Sequence, residues 1–124
     1  MSDALNAVRE IVAADDGLLA AALGEHGGDA LTDGVGLRET VIELVREGYL
    51  LHHGQARVVS QDDPDLALLA GDRLYALGLQ RLAESGDLQA IAVLAHLIAA
   101  GARAQAAGEA DTAEELWKAA LKAL

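Results

Sequence analysis

Apolar residues recur at helical spacing along most of this chain. Leu5, Val8, Ile11, Val12, Leu18, Leu19, Ala22 and Leu23 share one face of a first helix that Ser2 or Asp3 can cap, with Asp15-Asp16-Gly17 breaking it. Residues 24–36 carry five glycines and three acids and predict a loop. A second stripe, Leu37, Val41, Leu44 and Val45, predicts a helix to Glu47. Arg38, Glu39, Glu43, Arg46 and Glu47 lie opposite, and Gly48 suits a left-handed C-cap. Tyr49 to Val59 is the one strand-like stretch, with Gly54-Gln55 able to turn a short hairpin.

Asp62-Asp63-Pro64-Asp65 is a strong helix start, because proline suits the first helical position and acids suit the positive N-terminal end. That helix should run from Pro64 to about Glu84. Ser85-Gly86-Asp87 closes it and caps the next, Leu88 to about Ala107; a tight turn at 108–111 precedes a last helix from Thr112 to Leu124. The Leu88 helix is apolar on nearly every face, which predicts burial on more than one side, inside the bundle and against a second copy. Leu66, Leu69, Leu74, Leu77, Leu82, Ile91, Leu94, Leu97, Ile98 and Trp117 are the expected core. The fold class is all-α: a small bundle of about five helices in a single domain, 1–124, with one short hairpin-like segment near 49–59.

Composition supports that class. Ala (27) and Leu (22) outnumber Val (8), Ile (4) and Thr (3), a bias toward helix formers. No Cys is present, which excludes disulfides, thiolate metal sites and a cysteine nucleophile. A net charge of -11 argues against nucleic acid and anionic membrane surfaces. Arg38 to Val59 has the outline of a winged helix, but two Arg against three Glu on its helix do not suit a recognition element. The first residues show no basic and apolar leader pattern, and the longest nearly uncharged stretch, Leu88 to Ala102, is short for a membrane span. A cytoplasmic protein without membrane insertion is expected.

Candidate chemistry is sparse. Asp62, Asp63 and Asp65 could hold Mg²⁺, but a cap and first helical turn suit them better. His52 and His53, on a strand, would point to opposite faces and could not share an ion. His96 reads as a core or interface histidine. Gly34-Val35-Gly36 lacks the lysine of a phosphate loop, and no serine has a nucleophile-elbow context.

Leu68-Leu-Ala-Gly-Asp-Arg-Leu-Tyr-Ala-Leu-Gly-Leu-Gln-Arg-Leu-Ala83 resembles the polyprenyl diphosphate synthase family, whose members carry a similar Leu-Ala-Gly-Asp along a central helix. The likeness continues through Gly86-Asp87 to Gly101-Ala-Arg-Ala-Gln105, about a third of the chain. In that family an Asp-Asp-x-x-Asp motif lies a full helix and loop upstream of Gly-Asp, whereas Asp62-Asp63-Pro64-Asp65 stands a few residues ahead of Gly71-Asp72. The resemblance therefore implies a truncated helical relative, similar to the small non-catalytic subunits of two-component prenyl synthases. Leu97, Gly101, Gly108, Ala113, Trp117 and Ala120 also resemble a tetratricopeptide-like helix pair, which would imply an adaptor with a groove beside Trp117.

The leading expectation is a non-catalytic helical interaction or assembly subunit, self-associating or bound to a protein partner such as a prenyl diphosphate synthase, with no cofactor. The competing expectation is a prenyl-diphosphate (lipid phosphate) binder or enzyme fragment using Mg²⁺ at Asp62, Asp63, Asp65 and Asp72.

Overall fold

A computed structural model describes residues 3–15, 17–24, 27–34 and 36–124. Ser2, Asp16 and Val35, invoked above for a cap, a break and a glycine loop, lie outside the described residues. The chain is all-helical, with α1 (Asp3–Ala14), α2 (Leu18–Ala22), α3 (Leu37–His53), α4 (Pro64–Ser85), α5 (Leu88–Ala106) and α6 (Ala110–Ala123). It divides into two compact units, Met1–Arg81 and Leu82–Leu124, the division falling within α4.

In the first unit, α1 packs on α3 through Leu5, Val8 and Val12, and Leu19 of α2 joins the same core as Leu44, Leu51 and Leu74. Helix α4 crosses α3 where two glycines face each other. A Cβ on Gly48 would stand 2.8 Å from the Gly71 carbonyl oxygen, and one on Gly71 would stand 3.0 Å from the Gly48 oxygen. The lack of side chains lets the two backbones touch. This corrects the reading of Gly48 as a helix terminator: α3 runs through it to His53, and Gly54 is the C-cap.

The expected hairpin at 49–59 is absent. Tyr49 to His53 are the last turns of α3, and the only bridge among the described residues is an isolated antiparallel pair, Leu23 with Val59. Gly24 N donates to Val58 O and Ser60 N to Ala22 O, both at 2.8 Å. Val58 and Val59 are apolar because they are buried, not because they form a ladder.

In the second unit, α5 and α6 lie side by side, with Gln89 Nε2 near the start of α5 donating to Ala123 O near the end of α6. Asp87 caps α5 by accepting from Ala90 N at 3.2 Å, and Gly108 turns the chain at φ +75°. The buried stripe of α5 is Ala90, Leu94, Leu97, Gly101 and Ala104; α6 buries Ala113 and Trp117.

Five of the expected core residues are buried: Leu74, Leu82, Leu94, Leu97 and Trp117. Leu66, Leu77, Ile91 and Ile98 are half-buried, and Leu69 is 59% exposed, because it sits on the outer face of α4 beside Leu68.

Candidate functional site

The four aspartates singled out above do not form one cluster. Asp63 is the N-cap of α4: its Oδ1 accepts from Asp65 N at 3.1 Å and Leu66 N at 3.2 Å. Asp62 and Asp65 are exposed on either side of it. Asp72, two turns along α4, accepts from His52 Nε2 at 3.0 Å. Among the described residues, no group of three or more His, Cys, Asp or Glu is arranged to hold a metal ion.

The Gly71-Asp72 pair belongs instead to the crossing of α3 and α4. Gly71 leaves room for the His52 ring, whose Cδ2 would lie 2.8 Å from a Cβ there. That ring stacks on Tyr75 with centroids 5.5 Å apart and planes 6° from parallel. His53, one residue on, tilts against Tyr49 at 4.8 Å. Burial, and then the neighbouring His52, hold the His53 imidazole below its ordinary pKa. Burial chiefly, then Tyr49 and Asp72, push the Tyr75 phenol up. The histidines are therefore helical and half-buried, not the surface strand pair expected.

The most concentrated chemistry lies where the hydrophobic pattern predicted a solvated face. Glu43 and Glu47, one turn apart on α3, are wholly buried, and Arg57 is 4% exposed. Glu47 receives three consecutive backbone donors: Arg57 N, Val58 N at 2.6 Å and Val59 N at 2.9 Å, with Arg57 Nε at 3.1 Å. Glu43 Oε2 accepts from Leu31 N, Thr32 N and Thr32 Oγ1, each at 2.8 Å, and its Oε1 from Arg57 Nη1 at 2.7 Å. Arg57 also donates to Asp29 O and Glu43 O.

Each glutamate pins one loop to α3, and the arginine joins them. Buried carboxylates persist only when paired and hydrogen-bonded, and these two are both. Gln61 extends the arrangement, accepting from Ala56 N and donating to Gly54 O. The network's hydrogen bonds tie the loop residues 29–32 and 57–59 to α3, a scaffolding arrangement. Sequence reasoning missed it because i, i+4 glutamates on an amphipathic helix look identical whether they meet water or a buried arginine. The signal was the lone Arg57 in an apolar run.

A groove of 450 Å³ runs between α5 and α6, lined by Ala92, Val93, His96, Leu97, Ala100, Leu116, Ala119 and Ala120. Its lining is apolar apart from the imidazole. His96 is exposed on the groove, not enclosed in a core. Trp117 is completely buried, so the groove lies beside it without exposing the indole. By length and composition α5 could cross a membrane. No known family model matches this chain, nor does any curated protein or solved structure.

Proposed function

We propose that this protein is a non-catalytic helical subunit that docks a protein partner on the α5–α6 face of residues 82–124. A prenyl diphosphate synthase is the partner class suggested by the Leu-Ala-Gly-Asp resemblance. The observation that carries the reading is the α5–α6 groove: an uncharged apolar trough on the most apolar helix of the chain. Amphipathic helices commonly lay their apolar face into apolar helical grooves. The sites rich in polar chemistry serve the fold: Asp63 caps α4, and Glu43, Glu47 and Arg57 anchor loops.

Two measurements on the full chain test this. Sedimentation velocity of the wild type, alone and mixed with candidate synthases, should reveal an assembly that Ala100→Glu, in the groove, abolishes. Thermal unfolding with farnesyl diphosphate and Mg²⁺ addresses the competing reading. A ligand at a hundred times its Kd stabilises by about 2.7 kcal/mol. A Mg²⁺-dependent rise in Tm that disappears in Asp62→Ala or Asp72→Ala would replace the docking reading with ligand binding. Asp63→Ala should cost about 1 kcal/mol as a lost cap, whichever reading holds.

A further inference from the structure

We draw no further inference here: the strongest candidate, the alanine-lined groove between α5 and α6, has Asp111, Glu114 and Glu115 on α6 together with Lys118 and Lys122, so its charges select no occupant, and nothing in the structure shows what covers it.

Discussion

Helices α3 and α5 occupy the opposite places from those their compositions suggest. Helix α3 carries five charged residues, Arg38, Glu39, Glu43, Arg46 and Glu47, yet every residue from Thr40 to Tyr49 is buried. Helix α5 carries one charge, Arg103, yet buries only Ala90, Leu94, Leu97, Gly101 and Ala104. The charged helix can be enclosed because each buried carboxylate finds several donors: Glu47 takes three successive backbone N–H groups, and Glu43 takes a loop and Arg57. The apolar helix remains half-exposed because a single stripe of it is buried, on the side where it packs with α6. Burial follows from available partners, polar or apolar, more than from residue polarity.

The strongest way to break the contrast is to remove a partner inside α3. Glu47→Ala leaves Arg57 Nε and three backbone donors buried without their acceptor. It should cost about 3–5 kcal/mol, read as a lowered denaturant midpoint. A loss below about 1 kcal/mol would mean that water reaches the network and α3 is not enclosed.

Gly48→Ala tests the crossing of α3 with α4. The new methyl would press on the Gly71 carbonyl, which is backbone and cannot swing aside. A cost of about 1–3 kcal/mol is expected, outweighing the gain in helix propensity of at most about 1 kcal/mol. A stabilised variant would show that the helices part easily.

Acid sharpens the comparison at the end of α3. Burial and His52 depress the His53 pKa below its ordinary 6.5 in the folded state. Between the two pKa values the unfolded chain binds the proton that the folded one refuses. The contribution of His53 is thus fully present above pH 6.5 and lost as pH falls from there through the lower folded-state pKa. His53→Gln should flatten the decline of Tm with acid over this range; an unchanged slope would place the effect elsewhere.

The smallest effect is expected on α5. Ala95→Glu, at an exposed position, should change stability by no more than about 0.5 kcal/mol in the isolated chain. A large loss would mean that the outer face of α5 is packed, and would dissolve the contrast with α3.

Much of the secondary structure was legible before any fold was known. Helix starts at Asp63-Pro64 and Asp87, the turn at Gly108 and the break after α1 depend on interactions within a few residues, and each is found as expected. The end of α3 was not legible. Gly48 and Gly71 read locally as a terminator and a family signature, and only their mutual approach explains them. The run Ala56 to Val59 looked like a strand because buried segments and strands share β-branched composition. The backbone donors of Arg57, Val58 and Val59 go to Glu47, ten to twelve residues away, a pairing no local rule anticipates.

The candidate site followed the same division. That α5 is apolar on nearly every face was readable from its uniform composition. Which side stays open, and that the aspartates at 62–72 divide between a cap and a histidine partner, depend on the packing of distant residues. By itself the sequence determined the all-α class and the starts of α4 and α5 with their aspartate caps, because backbone hydrogen bonds and capping act within one or two turns. Tertiary structure alone decided which charges are buried and which apolar face is bare. Those outcomes depend on the partners that folding brings together, and the pattern of any single helix does not contain them.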